Sequence, residues 1–352
     1  MGTITFLLVL SFLVFFHELG HFLAARYFGV KVHVFSIGFG KRVFSKQWRG
    51  TTWQIALIPL GGYVQMKGQD DRNPNLQEDG NDSYNTKKPW ERIIILFAGP
   101  FANFLLAAIL YFSIAIMGAT TWAAQVGQVQ ENSPAFHAGI QTNDEILKIN
   151  DTIIKSWDEV GKTIINTPGA LNFYIKRDGA LIAKTINPHL ADSENMFKEK
   201  IQKRMIGISP SGKVINLELS FTESLVYAYE KTIFASTMIF QGVQKLIQGV
   251  IPSSEVGGVI TIGKVISDAS ESSIIALFTI TALISVNLGV LNLLPIPALD
   301  GGHIMFNLYE MITRRKPSDQ VFMFLTILGW VILGSLMLLG IYNDINRIFL
   351  NN

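Results

Sequence analysis

Four long apolar stretches dominate the pattern of this chain. They cover residues 3–25, 93–117, 274–299 and 321–341. Because about 20 helical residues cross the roughly 30 Å hydrocarbon layer of a bilayer, each stretch predicts a transmembrane helix. Between the second and third stretches the pattern changes to short runs separated by turn residues, which is typical of a small water-exposed domain. The pattern therefore predicts an α-helical membrane protein with about four transmembrane helices and one insert.

The segment after the first stretch differs from its neighbours. Residues 31–66 are rich in β-branched and aromatic side chains and are punctuated by glycines, which predicts strands. This β region is apolar enough to enter the membrane if its backbone groups are paired or buried, and an ordinary cytoplasmic hairpin is the alternative. Residues 69–88 are rich in Pro, Asn and Asp and predict a mobile loop. Together with the first two helices these segments make up residues 1–122, the first part of a membrane domain.

Residues 123–190 predict the insert itself. Short β runs there alternate with turns such as Asn150-Asp151. The segment Ser133-Pro134-Ala135, followed by Ala138-Gly139-Ile140, makes this insert resemble a bacterial PDZ domain, an α/β fold. PDZ domains hold a peptide as an added strand or capture its C-terminal carboxylate. The expected partner of this domain is thus a peptide or a substrate end.

The rest of the chain returns to the membrane. Residues 191–273 predict a linker that contains one surface-lying amphipathic helix at 221–250, and residues 191–220 have no assignment. Residues 274–352 form the second part of the membrane domain. With this division, residues 26–92 and 300–320 lie on the same side, and both carry clustered Lys and Arg. The positive-inside rule places that side in the cytoplasm.

The composition limits the class of protein and the types of metal ligand that are available. Of the 352 residues, 49% are hydrophobic and only 16% are charged, which is too apolar for an ordinary soluble protein and indicates the lipid bilayer as a partner. The net charge of +2 and the lack of a basic stripe argue against nucleic acid. No cysteine is present. Any zinc must therefore be held by histidine and carboxylate.

The first apolar stretch contains a candidate metal site. Its ionisable side chains are His17, Glu18 and His21, all on one helical turn. Two histidines four apart share a helix face and can bind one ion. The intervening glutamate then acts as the base that activates water, as in HExxH metalloproteases. Polar side chains at membrane depth are costly, so three on one turn indicate function.

The third apolar stretch supplies a candidate third ligand. Pro295 and Pro297 cannot both lie in a regular helix interior, so the chain is expected to unwind there. Asp300 then lies near the cytoplasmic end of its span, at a depth similar to that of His21. Catalytic zinc commonly has three protein ligands, and two histidines with one carboxylate are a known set. His303 is the competing ligand.

Several motifs together identify a family. The HExxH of the first span and the segment Asn292-Leu293-Leu294-Pro295-Ile296-Pro297-Ala298-Leu299-Asp300-Gly301 resemble the site-2 protease family of intramembrane zinc metalloproteases, and in particular its bacterial regulator of sigma-E branch. Further matches are Phe35–Gly40, Ile58–Val64, and Phe97-Ala98-Gly99-Pro100 with Asn103. Well-known members of that branch carry two PDZ domains, whereas this chain has room for one.

The resemblance implies a function and further site residues. It implies one Zn²⁺ held by His17, His21 and Asp300, with Glu18 as the catalytic base. The substrates would be single-pass transmembrane proteins, such as anti-sigma factors already trimmed by another protease, or remnant signal peptides. The location would be the bacterial inner membrane. The PDZ-like domain would lie outside the cytoplasm, and the active site would lie toward the cytoplasmic side of the membrane. The residues themselves predict the substrate contacts. One edge of the β region, near Gly38–Gly40 or Ile58–Tyr63, is expected to add the unwound substrate as a strand, and Asn292, Pro295 and Pro297 of the unwound segment are expected to contact it.

Two other classes of function remain open from the residues alone. A membrane metal transporter or sensor would also use intramembrane histidine and carboxylate. A non-catalytic scaffold would use only the PDZ-like domain. The transporter gives no reason for Glu18 between the histidines, and the scaffold gives none for a complete zinc motif.

Overall fold

The structure is a computed structural model that describes residues 2–69 and 80–349. The chain divides into two compact units, Met1–Ile114 with Leu225–Asn352, and Ala115–Ser224. The α-helices of the described residues are α1 (Gly2–Tyr27), α2 (Pro89–Gly118), α3 (Pro134–His137), α4 (Trp157–Asn166), α5 (Phe221–Ile247), α6 (Val259–Ser272), α7 (Ile274–Asn292), α8 (Asp300–Thr313) and α9 (Asp319–Phe349). The strands of the same residues are β1 (Val32–Trp48), β2 (Thr51–Met66), β3 (Thr120–Trp122), β4 (Val126–Val129), β5 (Glu145–Ile149), β6 (Thr152–Ile153), β7 (Leu171–Arg177), β8 (Ala180–Ile186), β9 (His189–Glu194), β10 (Lys200–Met205), β11 (Ile208–Pro210) and β12 (Val214–Asn216).

Four helices of the described residues are long and apolar enough to cross a membrane. They are α1, α2, α7 and α9, and they lie where the four apolar stretches predict spans. Many of their side chains are exposed and apolar, as expected for surfaces in contact with lipid tails. The chain is therefore a multi-pass membrane protein with additional β-strands.

The third span ends earlier than the apolar pattern predicts. α7 stops at Asn292 rather than near residue 299, because Pro295 and Pro297 lack the N–H groups that a continuing helix needs. After an irregular segment, α8 begins at Asp300 and runs to Thr313. Residues 300–320, expected as a loop, thus contain a helix. Its start depends on the unwound segment before it, which an apolar pattern does not reveal.

β1 and β2 form an antiparallel sheet with a double pairing. Residues 32–37 of β1 pair with the start of β2 on one side and with residues 62–66 at the end of β2 on the other. The outer half of β1, residues 42–48, pairs only with residues 51–56. Within the described residues, 42–48 and 62–66 are therefore the two edges of the sheet. Gly38 and Gly40 lie where the inner and outer halves of β1 meet, with φ of +89° and +88°.

The inner half of this sheet packs on α1. The ring of Phe22 contacts those of Phe35 and Trp53, with centroids 5.8 and 5.0 Å apart. Gly62 is so close to α1 that a Cβ there would lie 2.6 Å from Val14 Cγ1. The inner half of the sheet therefore packs against a helix that is a candidate membrane span and does not form a separate hairpin.

The expected mobile loop at 69–88 lies partly outside the described residues, at 70–79. The part that is described does not extend loosely from the fold. Residues 84–86 form a 3₁₀ turn, Ser83 and Tyr84 are buried, and Lys31 N–H donates to Asp82 O over 2.9 Å. The backbone of 80–88 is thus hydrogen-bonded to the residues that flank the sheet, at Lys31 and Lys67, and the mobility expected for 69–88 stays a prediction.

The second unit has its own hydrophobic core. β6, β5, β7 and β8 form one antiparallel sheet in that order, and α4 packs its apolar face toward the core. The core side chains alternate along β7, as in a half-buried strand, whereas β5 carries a register shift after Ile146. The fully buried members of β5 and β7 are Ile146, Ile149, Leu171, Phe173 and Ile175.

This unit extends beyond the expected 123–190. Residues 191–220, predicted as linker, contain the β9–β10 hairpin, and then β11 pairs with β4 and β12 pairs with β3. Ile206, between β10 and β11, is buried in the core. The linker prediction is wrong here because the strands are short and because β11 and β12 pair with strands far away in sequence.

The segment between β12 and the third span consists mainly of two helices, α5 and α6. α5 covers the region predicted as an amphipathic helix and is not among the candidate spans. α6 was not expected. The first N–H groups of α6 are bound by a carboxylate of α9. Asp344 accepts hydrogen bonds from the N–H groups of Gly258 and Ile260, each 2.9 Å long. Asp344 is fully buried, so it fixes the start of α6 against α9.

Candidate metal centre

His17 and His21 lie one turn apart on α1, and their Nε2 atoms point toward the same position. Residues four apart share a helix face, and here the two Nε2 atoms are 3.2 Å apart. His21 is only 6% exposed and His17 is half-buried. Two imidazole nitrogens are thus brought together within an otherwise apolar helix.

Asp300 completes the cluster from the start of α8. Its Oδ2 lies 3.4 Å from His17 Nε2 and 3.5 Å from His21 Nε2. These three residues are a group that could hold a metal ion among the described part of the chain. The histidines are 279 or more positions away in sequence, so the site is assembled by the packing of α1 against the unwound segment and α8.

The glycines after Asp300 make this approach possible. A Cβ at Gly301 would lie 2.3 Å from Leu294 O, and a Cβ at Gly302 would lie 2.3 Å from Ile296 O. Such distances are far inside van der Waals contact, so only glycine lets the first turn of α8 pack directly on the irregular segment. The Asp-Gly-Gly sequence, which by itself indicates a turn, here positions a carboxylate.

The spacing of the three atoms fits zinc. Four-coordinate zinc binds His nitrogen and carboxylate oxygen at about 2.0–2.1 Å. Tetrahedral geometry then places neighbouring ligand atoms roughly 3.3 Å apart. The measured separations are 3.2, 3.4 and 3.5 Å. The two contacts to Asp300 are too long for good hydrogen bonds. The donor set therefore suits one zinc ion with a fourth position left for water or substrate.

The outer nitrogen of His21 has a partner that suits metal binding. Its Nδ1 lies 2.9 Å from the backbone oxygen of Ile95 on α2. A carbonyl oxygen only accepts, so Nδ1 carries the proton and donates. Nε2 is then left with the lone pair that a metal needs. The position of α2 thus selects the metal-binding tautomer of His21.

Asn103 is the corresponding partner of His17. Its side-chain nitrogen lies 3.1 Å from His17 Nδ1, and the residue is fully buried. Its Oδ1 is buried without a hydrogen-bond partner among the described residues. When Nε2 binds a metal, Nδ1 carries the proton, and rotating the amide by 180° turns Oδ1 toward it as acceptor. Ser285 Oγ donates to the backbone oxygen of Asn103 over 2.8 Å and holds it in place.

Gly99 makes room for the imidazole of His21. A Cβ at Gly99 would lie 2.2 Å from His21 Nε2 and within 2.7 Å of two ring carbons. On the facing helix, a Cβ at Gly20 would lie 2.1 Å from Ala98 O. The two helices therefore approach closely at small residues, as is common between membrane helices.

Glu18 lies beside the two histidines and next to the sheet. A Cβ at Gly62 would be 3.1 Å from Glu18 Cγ, and the backbone of Val64 contributes a hydrogen bond to the Glu18 carboxylate. Glu18 is half-buried. The carboxylate is thus placed between the candidate metal ligands and residues 62–66, which are one edge of the sheet.

α8 is fixed to α2 by a largely buried ion pair. Arg92 Nη2 lies 2.8 Å from Glu310 Oε2, and both side chains are less than one-fifth exposed. An ion pair that is mostly excluded from water is strongly destabilising to break from one side. This contact restricts the movement of α8 and hence of Asp300 at its start.

Some predicted residues are not drawn into the cluster. His303, the competing ligand, packs its ring near Phe306 and Phe322. Asn292 ends α7, and Pro295 and Pro297 follow it in the irregular segment. Within the described residues, no hydrogen bond joins Asn292 to the three clustered side chains.

Gly38 and Gly40 have a local explanation. A Cβ at Gly38 would lie 2.7 Å from Ile58 O, and both glycines have positive φ. The two glycines allow the sheet to change register at this point. They do not contact Glu18 closely, whereas Gly62 does.

Comparison with known proteins identifies the family. The sequence model of peptidase family M50 matches residues 5–336, which include both the HExxH helix and the Asp300 segment. The chain belongs to peptidase family M50. The resemblance to site-2 proteases found in the motifs is thereby confirmed.

Individual M50-like relatives are similar over nearly the whole chain. A Campylobacter jejuni protein with the provisional name zinc metalloprotease is 47% identical over 341 residues, which are 97% of this chain and 92% of its own length. A Rickettsia conorii protein with the same provisional name is 35% identical over 356 residues, 99% of both chains. The metalloprotease MmpA of Caulobacter vibrioides is 32% identical over 384 residues, 98% of this chain and 95% of its own. This M50 protein is therefore a membrane-embedded zinc metalloprotease of the site-2 type.

Sequence patterns missed several residues around the M50 site. Asn103, Gly99 and Gly62 all contact the catalytic motif, yet in the sequence they stand out only as parts of the family matches, with no role of their own. The available signal was one polar residue, Asn103, in an apolar span next to small residues. It did not reveal which helix face meets His17, because that depends on the mutual rotation of α1 and α2.

Proposed function

We propose that this protein is an endopeptidase that cleaves the transmembrane segments of single-pass membrane proteins. The observation that carries the proposal is the tetrahedral spacing of His17, His21 and Asp300, with Glu18 beside them. These groups lie on and between membrane-spanning helices, so the substrate bond must reach them at membrane depth. A transporter would not need Glu18 at this position.

Each residue has a separate task in this reaction. His17, His21 and Asp300 would hold zinc, which would supply the Lewis acidity for activating water and polarising the scissile carbonyl. Glu18 takes a proton from the attacking water and gives it to the leaving amine. Ile95 O and Asn103 orient the two imidazoles through their Nδ1 atoms. Gly99 leaves the volume that the His21 ring occupies.

The sheet edge beside Glu18 offers a place for the substrate backbone. A transmembrane helix must unwind before a peptide bond can be attacked, and unpaired amides in hydrocarbon cost several kcal/mol each. Residues 62–66 are an edge within the described sheet and lie against Glu18 through Gly62. We therefore place the unwound substrate as an added strand on this edge. Asn292 and the irregular segment with Pro295 and Pro297 would face it, and Gly38 and Gly40 would shape the sheet that carries it.

Cross-linking can test the substrate edge. The chain has no cysteine, so each single-cysteine variant carries one thiol. Tyr63→Cys places it on the proposed substrate edge, and the control Ser45→Cys places it on the other edge of the sheet. In the Glu18→Gln background, Tyr63→Cys should form a disulfide with a substrate that carries one cysteine near its cleavage site. Equal cross-linking from Ser45→Cys, or none from Tyr63→Cys, would remove this edge from the mechanism.

The cellular setting is proposed from the resemblance and from charge. Anti-sigma factors trimmed by another protease and remnant signal peptides are the substrates we propose, within regulated intramembrane proteolysis. The Lys and Arg residues between α1 and α2, and those directly after α8, favour a cytoplasmic position for the segments at 26–92 and 300–320. The single PDZ-like domain would then lie outside the cytoplasm of a bacterial inner membrane and bind peptide ends.

Cleavage assays test the function itself. Purified protein should cut a single-span substrate, stop when a chelator removes zinc, and recover when zinc is restored. Glu18→Gln should keep roughly one zinc per chain and lose cleavage by about 10²-fold or more, since it removes the general base and no ligand. Full activity in Glu18→Gln would rule out the proposed mechanism.

The proposed orientation has its own test. Ser318→Cys should react only with reagents that enter the cytoplasm, and Asn195→Cys should react with impermeant reagents added outside. If impermeant reagents label Ser318→Cys in intact cells, the number of spans is wrong.

A further inference from the structure

The charge of the segment after α1 is entirely of one sign. Between Glu18 and Asp70 the sequence contains no Asp or Glu. The same stretch contains seven Lys or Arg side chains, namely Arg26, Lys31, Lys41, Arg42, Lys46, Arg49 and Lys67. A stretch of about 50 residues with cations and no acid is an electrostatic feature that attracts anions.

The structure gathers four of these cations at the outer end of the sheet. Every residue from 39 to 50 is exposed, in contrast to the buried inner half of β1. We name this region the outer hairpin, residues 39–58. Its cations Lys41, Arg42, Lys46 and Arg49 form no ion pair within the described residues, although Arg49 lies over the ring of Trp48 at 4.9 Å.

Large apolar side chains lie among these cations. Val43 is 66% exposed, Phe44 is 60% and Leu57 is 66%. Phe44 is paired with Ile55, which is also exposed, so the two share a face. An exposed apolar surface that is rimmed by polar groups indicates a partner. Here the rim is cationic.

The partner must supply both hydrocarbon and negative charge. The inner half of the same sheet packs on α1, a candidate membrane span, through Phe22 and at the level of Glu18. A sheet held at that depth brings its outer half to the membrane boundary. There Trp side chains are favoured, and anionic headgroups attract Lys and Arg. Trp48 beside Arg49 has the composition of such an interface.

We propose that the outer hairpin is a binding site for anionic phospholipids of the membrane. Val43, Phe44 and Leu57 enter the acyl region, while Lys41, Arg42, Lys46 and Arg49 bind headgroup phosphates. Lipid composition then sets how firmly the sheet, and with it the substrate edge at 62–66, is held. This proposal does not depend on the identity of the zinc ligands.

A single fluorescent label tests the site. Val43→Cys, the only thiol in the chain, carries an environment-sensitive dye, and the zinc-loaded protein is placed in nanodiscs of phosphatidylcholine with 0% or about 30% phosphatidylglycerol. Adding phosphatidylglycerol should shift the emission to the blue and increase quenching by headgroup-labelled lipid severalfold. High salt should reduce the effect, since the Debye length falls to about 3 Å at 1 M.

Charge variants decide between lipid and other partners. Lys41→Gln, Arg42→Gln, Lys46→Gln and Arg49→Gln combined should abolish the phosphatidylglycerol effect while zinc content stays at the wild-type level. The matched control neutralises four exposed lysines elsewhere, Lys176, Lys198, Lys200 and Lys213, and should keep the effect. Identical spectra in both lipid mixtures would overturn the proposal. A shift that appears only when an acidic peptide or substrate is added would also overturn it, because the surface would then bind protein.

Discussion

Two buried aspartates show how differently the two units use the same side chain. In the second unit, Asp144 is fully buried. Its two oxygens accept hydrogen bonds from Arg177 Nε and Nη2, each 2.7 Å long. In the membrane unit, Asp300 is also largely enclosed, but its Oδ2 faces two imidazole nitrogens at 3.4 and 3.5 Å.

The difference lies in where the positive charge comes from. Asp144 has a guanidinium within the protein, and this bidentate pair raises the pKa of Arg177 and closes a structural contact. Asp300 faces two ring nitrogens that can serve as metal ligands, and a bound cation would hold the three groups together. The first arrangement stabilises a fold by itself, and the second is complete only with a metal.

The same substitution at the two aspartates should have opposite effects on zinc binding and on stability. Asp300→Asn should lower zinc affinity by more than about 100-fold, because it alters a ligand, whereas outer partners cost roughly 10–100-fold. Asp144→Asn should keep zinc and destabilise the second unit by about 1–3 kcal/mol, the cost of a charge-assisted hydrogen bond. Zinc competition with a chelator and thermal unfolding measure the two effects. Equal zinc loss in both variants would contradict the assignment.

Glycine substitutions extend the comparison from charge to volume. In a helix, Gly→Ala ordinarily stabilises by about 1 kcal/mol, and Gly161→Ala on α4 should do so, since nothing lies within 4 Å of its Cβ. Gly99→Ala should instead displace the His21 ring and lower zinc affinity at least 10-fold. Zinc titration and unfolding of both variants provide the test. If Gly99→Ala binds zinc as well as wild type, α1 and α2 are not packed as described.

Asn103 gives a smaller effect with a matched pair of variants. Asn103→Leu keeps the volume but removes the acceptor for His17 Nδ1, and should lower zinc affinity by about 10-fold or more. Asn103→Asp keeps an acceptor and should retain most of the affinity. Cobalt substitution adds an electronic spectrum that responds to ligand geometry. If both variants behave alike, Asn103 acts through packing and not by selecting a tautomer.

The smallest expected effect is on the surface of the second unit. Glu223 contacts Lys155, and this hydrogen bond, with those from Ser220, lowers the pKa of Glu223 to about 2. A depressed pKa contributes stability above the unfolded value of about 4.3, and that contribution disappears as pH falls toward 2. Wild type should therefore melt slightly above Glu223→Gln at pH 6, and the two should converge near pH 2. Because the pair is exposed, a large difference at pH 6 would show that this account is incomplete.

Local rules predicted the chemistry better than the architecture. The HExxH spacing depends only on the helix repeat, and the unwinding before Asp300 follows from two prolines, so both could be predicted. β11 and β12 could not, since their partners β4 and β3 lie about 80 to 95 positions earlier and their own patterns are too short. The contacts of Asn103, Gly99 and Gly62 depend on how helices and sheet rotate against one another. That information is distributed over the whole packed interior.

The central claim is that two histidines and one aspartate hold zinc at membrane depth. X-ray absorption spectroscopy of the purified zinc-loaded protein tests it most directly. The account predicts two imidazoles and two oxygen ligands at about 2.0–2.1 Å, with one imidazole lost in His17→Ala and the spectrum unchanged in His303→Ala. A wild-type spectrum with three imidazoles, one of which disappears in His303→Ala, would contradict it.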